Sequence, residues 1–479
     1  MSQMSSTPAP VKDDAADEIA ALMARARAAQ QAIDHYSQEQ VDALVLAVGW
    51  SVVSNREALA RMAVDEGGFG NYESKVMKIR NRVMGTIRDM LGRKTVGIVE
   101  ELPERGIVKV AKPVGVIAAL IPTTGPDATP PVKALAALKG RNAIIVAPHP
   151  RTAKTTALAV ELMRKGCAQA GAPQDLIQVI QRPSIGKTSL LMKQADLIVA
   201  TGGAAMVQAA YSTGTPAYGV GVGNAVHVID DSGDLEDAAA MIARAKVFDF
   251  ATSCLADNAI VVDEGVYPAL MEKLQAKGGY LLSAPEKTQL RQTMWPQPDQ
   301  HIPVLDVVAK SAAHVAGLAG ITLPEGKGFL MVEENGFGPD HPFSGEKLSV
   351  VLSVYRYPAG DIDAAIAIVN GITNYQGLGH TCGIHTANDA NVMALAMQTK
   401  TARVMVNQDL NEGAGSPRNG MPYTLSLSCG TWGGNITTEN VNVGHFLNYT
   451  WVSRLVDAKA TPVTEEALFA GHWAAHGKD

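Results

Sequence analysis

Cys254 is the residue whose surroundings best fit covalent chemistry. It lies in the segment FDFATSC, on a short polar link between a helix-like pattern and a buried strand-like pattern. A thiol in such a position can be reached by a substrate and activated by nearby backbone N–H groups. On spacing alone, a nucleophile and a packing residue are equally good interpretations. The other cysteines, Cys167, Cys382 and Cys429, fit packing better, because a free cysteine behaves as a small apolar residue.

A glycine turn is the second candidate site. Thr201, Gly202 and Gly203 directly follow the strand-like run LIVA and precede a helix-like run. Such a turn directs backbone N–H groups and the positive end of a helix dipole at a bound phosphate. A plain strand-to-helix turn is the alternative interpretation.

A metal site is not expected. The histidines His149, His227, His341 and His380 are scattered, and no pair of histidines or cysteines has the spacing of a zinc site. The four cysteines also lack CxxC spacing and do not form a disulfide framework, which favours a reducing compartment.

The overall composition excludes several classes of protein. Of the 479 residues, 47% are hydrophobic and 18% are charged, which favours a large folded core over disorder. The 41 basic and 47 acidic residues give a net charge of −6 without a basic block, so no nucleic-acid partner is expected. The longest apolar run, at 43–53, is shorter than the ~20 residues of a membrane span, and the first 14 residues lack a signal-peptide pattern. We therefore expect a cytoplasmic protein with no membrane partner.

Alternating strands and helices must position these residues. Apolar β-branched runs predict strands at 114–121, 142–147, 197–200, 225–230 and 258–262, and helical spacing predicts helices at 131–139, 153–166, 204–211 and 235–245. This alternation is typical of an α/β fold with mostly parallel sheets. The front of the chain predicts two long helices, at 18–33 and 38–63, the second with a capping box formed by Ser37 and Gln40.

Seven ordered segments carry a resemblance to a known family. They are AKPVGVIAALIPTTGPDATP, LKGRNAIIVAPHPR, ATGGAAMVQAAYSTGTPAYGVGVGN, FDFATSC, GEKLSVVLSVYR, GHTCGIHT and CGTWGGN. Together they resemble the CoA-acylating branch of the aldehyde dehydrogenase superfamily, from about residue 16 to about residue 455. The region 81–106 and the ATSC around the thiol are most similar to the acylating sulfoacetaldehyde dehydrogenases.

The resemblance implies a domain organisation. We expect a Rossmann-type cofactor domain at 1–231, an α/β catalytic domain at 232–430 and a C-terminal return and oligomerisation segment at 431–479. In the family, an exposed strand, here at 104–113, and a C-terminal strand, here within 440–455, form a β-flap for oligomerisation. Because an exposed strand satisfies its edge by pairing across subunits, a homodimer or homotetramer is expected.

In this family the cysteine of the FDFATSC segment is the nucleophile, which carries over to Cys254. The thiolate adds to a small aldehyde, hydride leaves for the nicotinamide of NAD or NADP, and a thioester remains. The oxyanion loop of the superfamily corresponds to 122–126, where Thr124 stands at the position of an asparagine in hydrolytic members. Acylating relatives usually have an asparagine where Gly125 stands, so a hydroxyl or a backbone donor must substitute here.

The lack of one acid favours CoA over water as the acyl acceptor. Hydrolytic relatives carry a glutamate in the segment that corresponds to 218–223, and this segment contains no acid. Without a general base, water attacks the thioester slowly, whereas a free thiol can still take the acyl group. The resemblance therefore implies CoA as co-substrate and an acyl-CoA as product.

The resemblance also assigns a dinucleotide site, consisting of Thr123, His149, Arg151, Thr201, Gly202, Gly203 and Glu346. The glycine turn matches the family's turn near the pyrophosphate, and Glu346 matches the acid that holds the nicotinamide-side ribose. Arg151 stands near the adenosine ribose, where strict NAD enzymes often carry an acid. The sequence therefore allows NADP as well as NAD as the cofactor.

Two further residues are candidates for substrate binding. His380 matches a family position near the site. Arg418 lies in the loop EGAGSPRNGMP, and its guanidinium could bind a sulfonate through paired donors. A solvated loop arginine is an equally good interpretation of Arg418.

Two other classes of function stay open at this point. The first is a Cys-dependent CoA acyltransferase or hydrolase without redox activity. The second is a non-catalytic shell or assembly protein, since some relatives belong to bacterial microcompartments. Reduction of NAD(P) by an aldehyde would separate a dehydrogenase from both alternatives.

Overall fold

Two parallel β-sheets form the centre of the molecule. The computed structural model describes residues 14–297, 299–456 and 463–478. The central strands are runs of small and β-branched apolar residues, as expected where helices cover both faces of a parallel sheet. The predicted α/β class is confirmed.

Helices and strands alternate along most of the described chain. The helices are α1 (Asp14–Ala32), α2 (Gln38–Val53), α3 (Arg56–Gly67), α4 (Tyr72–Met90), α5 (Thr129–Lys139), α6 (Ala153–Gln169), α7 (Ile185–Gln194), α8 (Ala204–Tyr211), α9 (Leu235–Val247), α10 (Tyr267–Ala276), α11 (Ala284–Met294), α12 (Ala312–Leu318), α13 (Ile362–Tyr375), α14 (Asp389–Gln398) and α15 (Glu465–His476). The strands are β1 (Gly97–Leu102), β2 (Ile107–Pro113), β3 (Val116–Leu120), β4 (Ala143–Ala147), β5 (Ile177–Val179), β6 (Leu197–Thr201), β7 (Ala217–Val220), β8 (Val226–Ile229), β9 (Ala259–Asp263), β10 (Gly279–Leu281), β11 (Phe329–Glu333), β12 (Val351–Tyr357), β13 (Cys382–His385), β14 (Val404–Val406) and β15 (Leu447–Ser453).

The first sheet has five strands in the order β5-β4-β3-β6-β7, and every neighbouring pair is parallel. Its central strand β3 aligns Ile117 with Ile144 of β4 and with Leu197 of β6. Helix α5 is buried along its whole length. The first sheet and the helices around it share one large apolar core.

The second sheet has seven strands in the order β10-β11-β12-β9-β8-β13-β14, again all parallel. Strand β8 pairs with β9 and β13, so it belongs to this sheet. The chain therefore crosses between the sheets at 221–225, ahead of the expected boundary at 231/232. The assignment of 1–231 to the cofactor and 232–430 to catalysis stays a prediction.

The third sheet contains the strands expected to form a flap. Its order is β1-β2-β15, and β2 pairs antiparallel with both neighbours. Ala111 of β2 lies opposite Tyr449 of β15. The expected partnership of an early exposed strand with a C-terminal strand is thus present within one chain, with the early strand at Ile107–Pro113 rather than 104–113.

The structure corrects one expectation about the N-terminal helices and confirms another. The single helix expected at 38–63 is two helices, because the chain turns at Ser54 and Asn55 before α3 begins. The capping box of Ser37 and Gln40 is confirmed at the start of α2. Helix α15 lies within the C-terminal segment 431–479, for which no helix was expected. The N-terminal stretch without a signal-peptide pattern lies, over residues 1–13, outside the described residues.

Candidate active site

One cavity of about 1210 Å³ lies where the two large sheets face each other. Its walls follow the carboxyl ends of β3, β4, β6 and β7, and they also precede the amino ends of β9 and β12. The cavity brings together most of the expected site residues, namely Thr123, Thr124, His149, Thr201, Gly202, Gly203, Cys254 and Glu346. Arg151, His380 and Arg418 are not on its walls.

Cys254 contacts a histidine from a distant part of the chain. Its Sγ lies 3.2 Å from Nε2 of His380, within hydrogen-bond distance for sulfur. Cys254 precedes β9 and His380 precedes β13, and β8 lies between these strands in the sheet. The fully buried ring of His380 therefore lies behind the thiol rather than on the cavity wall. A cysteine with a histidine in contact is the arrangement that activates a thiol nucleophile.

The surroundings keep this pair neutral. Burial raises the pKa of the Cys254 thiol well above its ordinary value, Glu346 and Cys429 raise it further, and Arg403 and the residue's own backbone N–H lower it. Burial and the charge of Arg403 lower the pKa of His380 to about 3. A neutral imidazole in contact with a protonated thiol can accept its proton as the sulfur attacks.

Arg403 holds this histidine in place. Its guanidinium is buried and donates to the carbonyl of His380 at 3.0 Å and to that of Ser428 at 2.7 Å. Its Nε donates to Oδ1 of Asn440 at 2.7 Å. Arg403 thus joins the start of β13 to the segment after Ser426, and it fixes the backbone that carries the imidazole.

The loop between β3 and α5 carries Thr124, the predicted oxyanion donor, and Thr123, which was predicted to bind the dinucleotide. Oγ1 of Thr123 is buried and has no hydrogen-bond partner among the described residues. Thr124, the expected donor, lies beside it on the cavity wall. A Cβ on Gly125 would lie only 2.7 Å from Oγ1 of Thr129, so Thr129 occupies the space that a side chain at 125 would need. The loop therefore offers threonine hydroxyls in place of an asparagine amide.

The glycine turn fits a dinucleotide phosphate. Gly203 caps α8 without a side-chain hydrogen bond, and a Cβ added at Gly203 would meet nothing within 4 Å. The first backbone N–H groups of α8 are thus accessible beside the cavity, as a phosphate at a helix N-terminus requires.

Glu346 lies near Cys254, on the other side of Gly223. Burial raises the pKa of Glu346 to about 8, although the N–H of Gly223 and the charge of Lys347 lower it. A Cβ on Gly223 would lie 2.4 Å from Cβ of Cys254 and 2.6 Å from Oε1 of Glu346, so only glycine fits between them. Such a carboxyl can exchange hydrogen bonds with ribose hydroxyls, and the residues present fit a nicotinamide-side ribose.

The wall at 219–223 carries no acid in the structure either. Val220 at the end of β7 lines the cavity, as do Gly221, Val222 and Gly223 after it. A Cβ on Gly219 would meet Val207 at 2.5 Å and Tyr211 at 2.8 Å. Glu346 is the carboxyl beside the thiol, and because its pKa is raised to about 8 it is largely protonated near neutral pH and cannot accept a proton in that form.

Besides His380, two expected site residues, both arginines, lie away from the cavity wall. The exposed Arg151 has its guanidinium 5.4 Å from the ring centre of Phe69, and its backbone N–H donates to Nδ1 of His149. The side chain of Arg418 is 59% exposed, and its Nη2 donates to Oε1 of Glu412 at 2.6 Å. Of these neighbours, His149 and Glu412 do line the cavity. Both arginines stay predicted binding residues.

Several cavity residues had no sequence signal of their own. The arginines Arg80, Arg82, Arg88 and Arg244 line the cavity, on α4 and α9. Arg82 donates to the carbonyls of residues 411, 414 and 415, so its charge is engaged by the backbone. Spacing on a helix shows which side chains share a face, but it does not show what that face meets.

The described residues contain neither a cluster suited to a metal ion nor a helix suited to cross a membrane. No group of three or more His, Cys, Asp or Glu side chains there is arranged to hold a metal ion. Among the described helices, none combines the length and the apolar character needed to cross a membrane. The expectations of no metal and no membrane partner stay predictions.

Known proteins are similar to this chain in sequence and in fold. The sequence pattern of the aldehyde dehydrogenase family matches residues 4–297. A sulfoacetaldehyde dehydrogenase (acylating) of Bilophila wadsworthia is 45% identical over 463 residues, which cover 95% of this chain and 98% of that protein. The crystal structure of an acetylating aldehyde dehydrogenase from Geobacillus thermoglucosidasius has a TM-score of 0.90 and 34% identity, and the match covers 94% of this chain and 100% of that one.

A second similar structure has been solved with CoA bound. A propionaldehyde dehydrogenase of Rhodopseudomonas palustris, with bound CoA and an acylated cysteine, has a TM-score of 0.82 at 26% identity, and the match covers 91% of this chain and 97% of that one. The similarity in sequence and in structure extends over nearly the whole chain in each comparison. The chain therefore belongs to the aldehyde dehydrogenase family, in its CoA-acylating branch.

Proposed function

We propose that this enzyme converts sulfoacetaldehyde, CoA and NAD(P)+ to sulfoacetyl-CoA and NAD(P)H through a thioester on Cys254. The observation that carries the proposed chemistry is the 3.2 Å contact between Cys254 and His380, beside a segment, 218–223, that contains no acid and whose residues 220–223 line the cavity. The proposed substrate rests on the relatives named for sulfoacetaldehyde, which are 42–45% identical over most of their length.

The first step forms a carbon–sulfur bond. The neutral imidazole of His380 takes the thiol proton through Nε2 as the sulfur adds to the aldehyde carbon. The hydroxyl groups of Thr123 and Thr124 and nearby backbone N–H groups are the donors for the resulting oxyanion.

The second step forms the thioester. NAD(P)+, when bound, accepts the hydride that leaves the thiohemiacetal carbon. The turn at Gly202 and Gly203 and the carboxyl of Glu346 would hold the dinucleotide on the side of the cavity that borders the thiol. The proton on His380 is released before the next thiol arrives.

The third step transfers the acyl group to CoA. The thiol of CoA attacks the thioester carbon, and the bond to Cys254 breaks to return the free enzyme thiol. Water competes poorly, because the segment 218–223 has no acid and the raised pKa of Glu346 keeps its carboxyl largely protonated at neutral pH. This supports a thioester product rather than a free acid.

The mouth of the cavity could recognise an anionic aldehyde. Nε of Arg244 donates to Oδ2 of Asp409 at 3.1 Å, its side chain is 54% exposed, and its Nη atoms make no hydrogen bond to described residues. Arg244 lines the cavity, whereas Arg418 reaches only Glu412 on its edge. A guanidinium with free paired donors suits a sulfonate, so we propose Arg244 beside Arg418 as a sulfonate-binding residue.

We also propose that NADP+ is accepted and that the enzyme is a homodimer or homotetramer. The exposed Arg151 next to His149 supplies a cation near the expected adenosine ribose. For assembly, β15 forms one edge of the three-stranded sheet and exposes Trp451. Pairing of such an edge with another subunit would cover it.

Absorbance at the NAD(P)H band tests the proposed function. The purified enzyme is assayed with sulfoacetaldehyde, acetaldehyde and succinate semialdehyde, each with NAD+ or NADP+ and with or without CoA. We expect CoA-dependent formation of NAD(P)H, the highest kcat/KM with sulfoacetaldehyde, and an acyl-CoA product in the mass spectrum. Full-rate release of free acid without CoA would contradict the acylating mechanism, and a clear preference for acetaldehyde would contradict the proposed substrate.

A further inference from the structure

The turn before the nucleophile has an unusual backbone. Asp249, Phe250 and Ala251 have φ angles of 49°, 51° and 57°. Non-glycine residues rarely adopt this left-handed conformation, and such residues persist only where surrounding contacts hold them. The turn ends three residues before Cys254, so its conformation determines where the thiol lies.

The carboxylate of Asp249 makes the contacts that hold this turn. Its Oδ2 accepts hydrogen bonds from Nζ of Lys78 at 2.6 Å, Oγ1 of Thr252 at 2.8 Å and Nζ of Lys75 at 3.3 Å. Its Oδ1 accepts one from the backbone N–H of Asn71 at 3.0 Å. The side chains of Asp249 and Lys75 are each 1% exposed, so both charges depend on this pairing.

The loop before α4 is shaped around the same carboxylate. A Cβ on Gly70 would lie 1.8 Å from Oδ1 of Asp249, and Gly70 has a φ of 72°. The two ammonium groups and the hydroxyl of Thr252 outweigh burial and lower the pKa of Asp249, which keeps the carboxylate ionised. Helix α4 and the turn at 249–251 are therefore joined by a buried, charged contact.

Lys78 extends this contact to the oxyanion loop. Its Nζ lies 4.0 Å from Oδ1 of Asp127, and Lys78 also lines the cavity. The carboxylate of Asp127 is fully buried, and both of its oxygens lack a hydrogen-bond partner among the described residues. Asp127 directly follows the loop 122–126 that carries Thr123 and Thr124. One ammonium group thus lies between the segment of the nucleophile and the segment of the oxyanion donors.

We propose that Asp249 is a positioning residue for Cys254, and that Lys78 couples it to Asp127 so that the thiol and the oxyanion loop keep one relative position. The inference rests on the proposed role of Cys254 as nucleophile. The catalytic geometry then requires the ion pairs between α4 and the turn at 249–251. Asp249 acts through Cys254 and does not touch the substrate.

The Asp249→Asn substitution tests this requirement. An asparagine keeps the size of the side chain but turns one oxygen into an N–H donor that faces two ammonium groups. Misplacement of a reacting group by ~1 Å costs about 100-fold in rate, so we expect kcat to fall about 100-fold. The KM for the aldehyde and the affinity for NADH should change less than about twofold, because neither depends on the orientation of the thiol.

Alkylation of Cys254 by iodoacetamide, followed by peptide mass spectrometry, provides a readout that does not need an aldehyde. We expect Asp249→Asn to slow alkylation at least about tenfold. This readout also separates the inference from the proposed function: a wild-type enzyme that oxidises no aldehyde tested would overturn the function but leave the alkylation comparison valid.

Lys139 provides a matched control. It is also a lysine with a 1% exposed side chain paired with a carboxylate, that of Asp42, and it does not line the cavity. Lys139→Met should lower the melting temperature but change alkylation and kcat less than about twofold.

If Asp249→Asn does not fold, Lys78→Met tests the proposal in its place, because Lys75, Asn71 and Thr252 still hold Asp249. We expect alkylation of Cys254 in Lys78→Met to be about fivefold slower than in the wild type. Wild-type alkylation in a folded Asp249→Asn or Lys78→Met enzyme overturns the proposal.

Discussion

Sγ of Cys254 and Nε2 of His380 lie 3.2 Å apart, although 126 positions separate them in the chain. The contact arises because both residues immediately precede strands of the seven-stranded sheet, at its amino edge. Ligands of parallel sheets usually bind beyond the carboxyl ends of the strands, and the glycine turn after β6 follows that rule. The proposed catalytic pair, Cys254 and His380, lies instead at the amino edge of the second sheet.

Replacement of the nucleophile should separate chemistry from binding. Cys254→Ala should abolish NAD(P)H formation, because no thioester can form, while the affinity for NADH measured by fluorescence stays within about twofold. Cys167, buried on α6 away from the cavity, provides the matched control, and Cys167→Ser should leave kcat nearly unchanged. Substantial NAD(P)H formation by Cys254→Ala would show that another group carries the covalent step.

Removal of the imidazole should slow attack by the thiol. His380→Ala leaves Cys254 without its proton acceptor, and a positioned general base contributes about 100- to 10,000-fold. We expect kcat to fall within that range, with a smaller loss at pH 9 than at pH 7, because hydroxide then competes for the thiol proton. Pre-steady-state NADH formation measures the acylation step. A uniform loss at all pH values would assign His380 a purely structural role.

The buried imidazole should also make the apoenzyme sensitive to acid. The pKa of His380 is lowered to about 3 in the folded state, against an ordinary value of about 6.5 in the unfolded chain. Between these values the unfolded chain binds the proton and the folded protein does not, so stability falls as the pH falls below about 6.5, by up to about 1.4 kcal/mol per pH unit.

Urea unfolding at pH 5, 6 and 7 measures this contribution. His380→Gln should show a flatter dependence of the unfolding free energy on pH than the wild type. His314→Gln, at an exposed position on α12, should retain the wild-type slope. Equal slopes for wild type and His380→Gln would show that His380 does not remain neutral in the folded protein.

Sulfonate recognition should depend on Arg244 more than on Arg418. A charge-assisted hydrogen bond contributes about 1.5–3 kcal/mol, so Arg244→Met should lower kcat/KM for sulfoacetaldehyde about 10- to 150-fold. Acetaldehyde carries no anion and should lose less than about threefold. Arg418→Met serves as the comparison, since Arg418 does not line the cavity and its guanidinium is bound to Glu412.

The pattern of losses distinguishes the two arginines. A selective loss in Arg418→Met alone would assign the sulfonate to Arg418. Equal losses on both aldehydes would make the altered arginine structural, and no loss in either variant would place the sulfonate elsewhere along the cavity.

Discrimination between the dinucleotides should depend on Arg151. If its exposed guanidinium meets the 2′-phosphate of NADP, Arg151→Ala should raise the KM for NADP+ about tenfold or more and change that for NAD+ less than about twofold. The exposed Arg182 supplies a control charge away from the cavity wall. An equal change for both dinucleotides would remove Arg151 from phosphate recognition.

The local structure and the type of chemistry could be predicted from the sequence alone. Runs of apolar β-branched residues predicted the strands at 142–147 and 258–262, which the structure has at Ala143–Ala147 and Ala259–Asp263. The capping box of Ser37 is likewise local, since its two partners are three residues apart. The segments around Cys254 and the glycine turn indicated an acylating aldehyde dehydrogenase, and the comparisons confirm that branch.

Only the tertiary structure decided which distant residues meet. The contact of Cys254 with His380 and the ion pairs of Asp249 with Lys75 and Lys78 join segments more than 100 positions apart. These pairs depend on strand order and on how one sheet edge faces the other, and neither property leaves a periodic signal in a short window of sequence. The exposure of Arg418 could not be predicted either, because the sequence of a loop does not show whether its arginine contacts a substrate or Glu412.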